Sequence, residues 1–209
     1  MAEMNMINEV VTSQKIVAIT FDDGPNSIYT PQVLEIFRNA EGKATFFMIG
    51  EQIEKHPEIA RQANELGHEI GNHTYSHLKM SDLNPRQRVE EITRTEKLIH
   101  DVTGQKPSAF RPPYLDYNPD TALTVADMGY HAIGALNIEA HDWEQPGVDH
   151  ILSKSMSSVK NGSILIFHDG FGDRSQTIEA VRLLVSELTA QGFQLVNVSE
   201  LLKRGELGE

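Results

Sequence analysis

The chain has 209 residues, which suffice for one sizeable hydrophobic core but are few for two ordinary domains. Its 30 acidic residues outnumber the 18 Lys and Arg residues, and the formal net charge of −12 argues against nucleic acid or an anionic membrane as a partner. Cysteine is absent, which excludes disulfides, thiolate metal sites and cysteine nucleophiles. No apolar run approaches the roughly 20 residues of a membrane span. We expect a water-soluble monomer.

The first residues read MAEMNMINEV and contain no basic stretch followed by an apolar core, so no signal peptide is predicted. Residues 1–14 are interpreted as an N-terminal extension, whose origin, natural or introduced by an expression vector, is left open. Residues 15–209 contain no internal repeat, low-complexity tract or linker-like stretch. They are predicted to form a single domain.

Short β-rich runs alternate along the chain with longer amphipathic runs. The predicted strands are residues 15–20, 44–49, 68–72, 109–111, 131–138, 163–167 and 193–198. The first helix patterns begin at Pro31, run from Pro57 to just before Gly67, and lie between Asn84 and Gly104 and between Pro119 and Gly129. Two more cover residues 148–159 and 177–191, and residues 200–204 follow the last strand. Each predicted strand but the last is therefore followed by a helix-like segment.

This alternation predicts an α/β fold with a parallel sheet and helical crossovers. A closed or partly open barrel and an open doubly wound sheet both satisfy the pattern. The phosphate-loop and GxGxxG patterns are absent after the first strand, which argues against a nucleotide-binding open sheet.

Polar residues with chemical potential follow the ends of the predicted strands. They are Asp22 and Asp23 after the first strand, His73 and His77 after the third, Arg111 at the end of the fourth, Asp142 and Trp143 after the fifth, and His168 and Asp169 after the sixth. In a parallel β/α barrel the carboxyl ends of all strands lie on one face, where active sites are built. We therefore expect these clusters to converge on one mouth.

The spacing of His73 and His77 is typical of a metal site, because on a helical turn residues i and i+4 share one face. One carboxylate from the Asp22–Asp23 pair would complete a set of ligands that leaves positions open for water and substrate. Taken singly, each signal also has a structural explanation. The histidines suit a surface or a helix cap, DDGP suits a surface turn, His168 suits a hydrogen-bonded strand end, and Trp143 suits core packing.

Five short motifs occur in order along the chain: TFDDGP at 20–25, HTYSH at 73–77, RPPY at 111–114, the DW of EAHDW at 139–143, and IFH at 166–168. Together they resemble the five motifs of the NodB-like polysaccharide deacetylases, carbohydrate esterase family four. The resemblance extends from about Lys15 to Leu202, so residues 15–209 are interpreted as one NodB-homology domain. It implies a distorted, incomplete (β/α) barrel with about seven parallel strands and favours an extracellular or cell-wall location.

The resemblance also implies a role for each matching residue. The implied metal ligands are Asp23, His73 and His77, for a divalent metal that is expected to be zinc, with cobalt or another divalent ion as alternatives. The implied catalytic group consists of the base Asp22, the acid His168, and Arg111 and Asp142, which hold them in place. The implied substrate contacts are the backbone N–H of Tyr114, the side chains of Trp143 and Ile166, and Pro113.

Two positions depart from the family pattern. Glu139 stands where aspartate is usual, and Ile166 stands where leucine is usual. The isoleucine keeps the apolar volume, whereas the added methylene of Glu139 leaves the role of that position open.

The implied activity is metal-dependent removal of N-acetyl groups from N-acetylglucosamine-containing polysaccharide or oligosaccharide, such as peptidoglycan glycan or chitin. An amine leaving group needs an acid such as His168, which favours this reaction over O-deacetylation of acetylxylan, the alternative within the family. A non-haem iron oxygenase also uses two histidines and a carboxylate, but the β/α alternation and the lack of a His-x-Asp pair argue against it. A non-catalytic carbohydrate-binding domain would need neither an acid nor a base.

Overall fold

A curled sheet of seven parallel strands forms the centre of the protein in the computed structural model, which describes residues 5–206. The strands are β1 (Ile16–Asp22), β2 (Thr45–Met48), β3 (Glu69–Asn72), β4 (Ala109–Phe110), β5 (His131–Ala132), β6 (Ile164–His168) and β7 (Gln194–Leu195). The strand order is β5-β4-β3-β2-β1-β6, and β7 pairs with the first residues of β1. The predicted distorted, incomplete (β/α) barrel is confirmed.

Helices connect these strands. They are α1 (Tyr29–Asn39), α2 (Gly50–Lys55), α3 (Pro57–Glu65), α4 (Pro85–Thr103), α5 (Pro119–Asp127), α6 (Val148–Ser157), α7 (Ser175–Ala190) and α8 (Val198–Arg204). The start of α4 shows how the sequence sets such a boundary: the side chain of Asn84 accepts the N–H of Gln87, and the side chain of Gln87 accepts the N–H of Asn84. Its end is Gly104, whose φ of 73° favours glycine. In the part of the chain described, no helix is long and apolar enough to cross a membrane.

Two elements differ from the sequence prediction. Helix α2 was not predicted; it is separated from α3 at His56, because Pro57 has no N–H to continue a helix and suits a first turn. The predicted strand 131–138 is wrong beyond Ala132, and residues Ile138–Ala140 form a short 3₁₀ helix. The side-chain amide of Asn137 replaces the backbone hydrogen bonds of a strand at this point. Its Oδ1 accepts the N–H of Ile166, and its Nδ2 donates to the carbonyl of Ile166.

Strand β1 is buried along its whole length, and its side chains alternate between two sides of the sheet. Val17, Ile19 and Phe21 belong to the larger core cluster, which packs beneath the helices. Ile16 and Ala18 belong to the cluster inside the barrel. The same period of two places Asp22 on the inner side, at the carboxyl end of the barrel.

Part of the N-terminal extension is built into the domain. Ile7 pairs in parallel with Ile133 beside β5, while Glu9 pairs in antiparallel fashion with Ser163 beside β6. Ile7 and Val10 are buried in the inner cluster. These residues bridge the gap between β5 and β6, where the sheet itself does not close.

Candidate active site

A cavity of about 740 Å³ opens at the carboxyl ends of the strands. Its wall is formed by Asp22, Asp23, His73, Ser76, His77, Leu78, Tyr114, Leu115, Ile138, Trp143, Ile166, His168 and Phe171. The predicted convergence of the polar clusters on one mouth is therefore seen in the fold, with residues drawn from β1, β6 and the loops that follow β3, β4 and β5.

Asp23, His73 and His77 place three potential ligand atoms within 4.8 Å of one another. Oδ1 of Asp23 lies 3.5 Å from Nε2 of His73 and 3.2 Å from Nε2 of His77. This oxygen is buried and has no hydrogen-bond partner. A buried carboxylate oxygen without a partner is costly, so the three groups fit a cation placed between them.

The second nitrogen of His73 supports this interpretation. Its Nδ1 lies 2.7 Å from the carbonyl oxygen of Arg111, which can only accept, so Nδ1 carries the proton and Nε2 presents a lone pair towards Asp23. Burial opposes ionisation of Asp23. The close approach of the His73 and His77 imidazoles and the charge of His168 outweigh burial and hold the pKa of Asp23 below its usual range.

The prediction that His73 and His77 share a helical turn is wrong. Residues 73–77 form an irregular loop after β3, and both Thr74 and His77 adopt the left-handed region, with φ of 64° and 60°. The two imidazole centroids nevertheless lie 5.0 Å apart. The loop thus achieves the proximity that the spacing suggested, by a different backbone path.

Asp22 lies beside the metal-ligand cluster and is held by Arg111. One terminal nitrogen of the guanidinium donates to Oδ1 of Asp22 at 2.7 Å and to the hydroxyl of Thr20, also at 2.7 Å. The other oxygen of Asp22 lies 3.7 Å from Nε2 of His73. The carboxylate is therefore fixed on one side and faces the cluster and cavity on the other.

His168, in the cavity wall, pairs with the buried Asp142 behind it. Nδ1–H of His168 donates to Oδ1 of Asp142 at 2.8 Å, and the backbone N–H of His168 donates to Oδ2 at 2.8 Å. Thr177 donates its hydroxyl to the same Oδ2. Burial lowers the pKa of His168, but the charge and hydrogen bond of Asp142 outweigh it and raise the pKa to about 9. The pairing with Asp142 therefore favours the imidazolium form of His168.

Three of the four residues expected to contact the substrate line the cavity. Tyr114 is 64% exposed, and the centroid of its ring lies 4.7 Å from that of His77. The ring of Trp143 lies edge-on to His168, with 5.4 Å between the ring centroids. Ile166 lines the floor from β6. Pro113 is buried in the 3₁₀ helix Pro113–Leu115 and does not form part of the wall. Glu139 is exposed, and its neighbour Ile138, not Glu139 itself, lines the cavity.

Sequence reasoning missed Phe171, Leu78 and Leu115, which are apolar parts of the wall. Phe171 is 46% exposed and has a φ of 50°, uncommon for a bulky residue. An aromatic residue between two glycines, three positions after His168, was the available signal.

Asp169 also had no assigned role. It is buried behind the aspartates, where its N–H donates to the carbonyl of Asp22 and Thr30 donates to its carboxylate. Burial and the negative charges of Asp23 and Asp22 raise the pKa of Asp169 to about 7, although the hydrogen bond from Thr30 lowers it.

Comparison with known proteins identifies the family. The sequence profile of the family described as polysaccharide deacetylase matches residues 9–133. A Bacillus cereus protein named peptidoglycan-N-acetylglucosamine deacetylase is 40% identical over 196 residues, which cover 93% of this chain and 92% of that protein. The chain belongs to the polysaccharide deacetylase family. As a member of this family, carbohydrate esterase family four, it is a hydrolase that acts on amide bonds.

Other polysaccharide deacetylases match at similar length. A Bradyrhizobium protein named chitooligosaccharide deacetylase is 32% identical over 203 residues, which cover 91% of this chain and 92% of that protein. The solved structure of the Bc1960 peptidoglycan N-acetylglucosamine deacetylase superposes with a TM-score of 0.89 at 27% identity, over 96% of this chain and 94% of that chain.

Two further solved structures of the family are informative. A family 4 acetyl xylan esterase from Clostridium thermocellum, in complex with a cobalt ion, has a TM-score of 0.83 at 31% identity over 90% of this chain and 91% of its own. A Bacillus anthracis chain described as a pseudoenzyme has a TM-score of 0.87 at 26% identity, and the match covers 98% of this chain and 71% of that chain. Since one fold serves all of them, the roles at this site must be argued from the residues of this chain.

Proposed function

We propose that this polysaccharide deacetylase removes N-acetyl groups from N-acetylglucosamine-containing glycans with the help of a divalent metal, preferentially zinc. The observation that carries the proposal is that a set of three potential metal ligands, a fixed carboxylate and a carboxylate-paired histidine meet at one cavity. These are the Asp23–His73–His77 cluster, Asp22 held by Arg111, and His168 held by Asp142.

Asp23, His73 and His77 would hold the metal. Two neutral imidazoles and one carboxylate are a frequent zinc set, and cobalt accepts the same ligands. A divalent cation bound there supplies a Lewis acid, which lowers the pKa of water and polarises the acetyl carbonyl. The remaining chemistry belongs to the side chains around it.

Asp22 serves as the general base and accepts a proton from the attacking water. Arg111 fixes one oxygen of Asp22, so the other stays directed at the cluster. The backbone N–H of Tyr114, on the rim, is assigned to the oxyanion that forms on the acetyl group. Trp143 and Ile166 provide an apolar pocket for the acetyl methyl, and Pro113 supports the Tyr114 backbone from within its 3₁₀ helix.

His168 serves as the general acid. An amine is a poor leaving group until it is protonated, and an imidazolium with a pKa of about 9 is available to deliver that proton at neutral pH. Asp142 orients the ring and stabilises its charged form. The products are acetate and a free amino sugar.

The substrate assignment rests on this acid and on the wall of the cavity. Apart from the histidines, the described wall contains no basic side chain, and its polar and aromatic groups suit an uncharged sugar. The names of two relatives, which act on peptidoglycan and chitooligosaccharide, agree with an N-acetylglucosamine chain. The acetyl xylan esterase in the same family keeps O-deacetylation of acetylxylan as the second candidate.

The test is acetate release by metal-free protein, before and after addition of zinc or cobalt. The panel contains N-acetylglucosamine oligomers, peptidoglycan fragments and acetylxylan. We expect activity on the first two classes only after a metal is added. Full activity of a protein shown by elemental analysis to be metal-free would refute the metal requirement. Turnover of acetylxylan alone would refute the assignment of an N-acetylglucosamine glycan as the substrate.

A further inference from the structure

The loop that carries the two proposed histidine ligands has an unusual backbone. Thr74 and His77 both lie in the left-handed region, with φ of 64° and 60°, although neither is glycine. Residues in this region persist where surrounding groups hold them in place. The groups that hold this loop therefore determine where the imidazoles of His73 and His77 point.

One side of the loop is held by main-chain groups. The N–H groups of Gly50 and Glu51, at the start of α2, donate to the carbonyl oxygens of Thr74 and Tyr75, each at 3.0 Å. The amide oxygen of Asn72 accepts the N–H of Thr74 at 3.0 Å. These contacts leave the N–H groups of Tyr75 and Ser76 to be satisfied from the other side.

A single carboxylate, that of Glu91 on α4, satisfies them. Its Oε2 accepts the N–H of Tyr75 at 2.9 Å and the N–H of Ser76 at 2.8 Å, while its Oε1 accepts the hydroxyl of Ser76 at 2.8 Å. Glu91 is half-buried, and it does not form part of the cavity wall. Its three hydrogen bonds all fall on residues between His73 and His77.

We propose that Glu91 is a positioning residue that sets the metal affinity of the site by holding the 73–77 loop in its ligand-presenting conformation. This inference rests on the proposed metal site at Asp23, His73 and His77. Without Glu91 the loop loses three hydrogen bonds, and metal binding must then restore the order of the two imidazoles. Loss of a partner bonded directly to a metal ligand typically weakens metal binding tenfold to a hundredfold, and Glu91 acts on the same ligands through the loop backbone.

Four variants separate positioning from other effects. Glu91→Ala removes all three hydrogen bonds, whereas Glu91→Gln removes the charge but keeps an oxygen for the two backbone N–H groups and an amide that Ser76 can accept from. Glu90→Ala, at the exposed neighbouring position, makes the same change in net charge. His77→Ala removes a proposed ligand.

The measurement is the affinity of each metal-free protein for zinc alone, by competition with a chromophoric chelator. Circular dichroism of the metal-free variants confirms that they are folded. We expect Glu91→Ala to bind zinc about tenfold to a hundredfold more weakly than the parent. Glu91→Gln should retain most of the affinity, Glu90→Ala should stay within about twofold, and His77→Ala should lose more than any of them.

Each contrary result has a distinct meaning. Zinc affinity of Glu91→Ala within twofold of the parent, together with a large loss in His77→Ala, would overturn the role of Glu91 and leave the proposed function standing. Equal losses in Glu91→Gln and Glu91→Ala would also overturn it, since charge would then be responsible. Unchanged affinity in His77→Ala would overturn the proposed metal site itself. If Glu91→Ala does not fold, the smaller change Ser76→Ala decides: it removes one of the three bonds, and an undiminished affinity would contradict the inference.

Discussion

Oδ1 of Asp22 lies 2.7 Å from the guanidinium of Arg111, and the two side chains are 3% and 0% exposed. The other two nitrogens of Arg111 also donate: Nε to the carbonyl of Ile133 and the second terminal nitrogen to the carbonyl of Gly134. A fully buried cation thus ties β4 to β1 and to the chain beyond β5. Arg111 therefore both connects these elements and holds the proposed base.

Replacing Arg111 is expected to destabilise the fold as well as abolish activity. Arg111→Met leaves the Asp22 charge buried without its partner, for which the usual loss is about 3–5 kcal/mol. The free energy of unfolding, from urea titration, measures this. Arg182→Met, at an exposed ion pair on α7, is the matched control and should cost less than about 0.5 kcal/mol. Similar losses in the two variants would contradict the structural role.

The adjacent aspartates are expected to fail in different ways. Asp22→Asn keeps the shape but cannot accept a proton, so turnover should fall by about 10²–10⁴-fold while the protein still binds zinc. Asp23→Asn should lose zinc, because Oδ1 of Asp23 is the oxygen that faces both imidazoles. Metal content by elemental analysis and acetate release distinguish the two. Loss of zinc in Asp22→Asn would reverse the assignment of base and ligand.

The His168–Asp142 pair is expected to titrate above neutrality. In metal-free protein, histidine NMR should give His168 a pKa of about 9, and Asp142→Asn should lower it, because burial then acts without the carboxylate. Since the folded-state pKa is above the usual 6.5, the stabilisation from this pair is complete below about pH 6.5 and is lost as pH rises through about 9. The exposed Glu139→Gln is the control and should leave the titration of His168 unchanged. A pKa of His168 that stays the same in Asp142→Asn would refute the pairing.

Removal of His168 is expected to discriminate between amides and esters. His168→Ala should reduce deacetylation of N-acetylglucosamine oligomers by about 10²–10⁴-fold, because the amine needs a proton to leave. Hydrolysis of an acetate ester, whose alkoxide leaves more readily, should fall much less. Acetate release from both substrate types measures the ratio. Equal losses would indicate that protonation of the leaving group is not the task of this residue.

Phe171 is expected to contact the glycan. Phe171 is 46% exposed at the cavity wall, and covering part of its ring with a sugar removes apolar surface from water. Phe171→Ala should raise KM for N-acetylglucosamine oligomers by about fivefold to thirtyfold, if roughly 1–2 kcal/mol of burial is lost. Hydrolysis of a small acetate ester that does not reach the rim should be unaffected.

The control for Phe171 is Leu123→Ala, an exposed apolar residue on α5 that does not line the cavity. It should change neither reaction. A proportionate loss on the oligomers and the small ester in Phe171→Ala would point to a distorted site rather than to a lost sugar contact.

The sequence predicted the architecture well where local signals are strong. Asn84, Pro85 and Gly104 bound α4 as expected, because a side-chain cap, a proline and a left-handed glycine act within a few residues. The strand 131–138 failed because its pairing depends on Asn137, whose amide replaces strand hydrogen bonds at Ile166 on a distant segment. No local pattern reveals such a substitution.

The candidate site shows the same division. The identities of Asp22, Asp23, His73, His77 and His168 are visible as motifs, and the structure brings them into one cavity. The conformation of the 73–77 loop was not predictable from its spacing, since its N–H groups bond to Glu91, a residue of the distant helix α4. Phe171 was missed because exposure at a cavity rim is a property of the assembled fold.

In the β1–β6 pairing, Asp22 stands opposite His168. Neighbouring strands are separated by about 4.8 Å, so the hydrogen bonds of the sheet fix the backbone distance between the two proposed proton-transfer groups. The rim residues Leu78, Tyr114 and Phe171, by contrast, come from loops. Insertions or exchanges in those loops can therefore change which glycan binds without changing the distance between Asp22 and His168. A family built this way can diversify its substrates while its reaction stays the same.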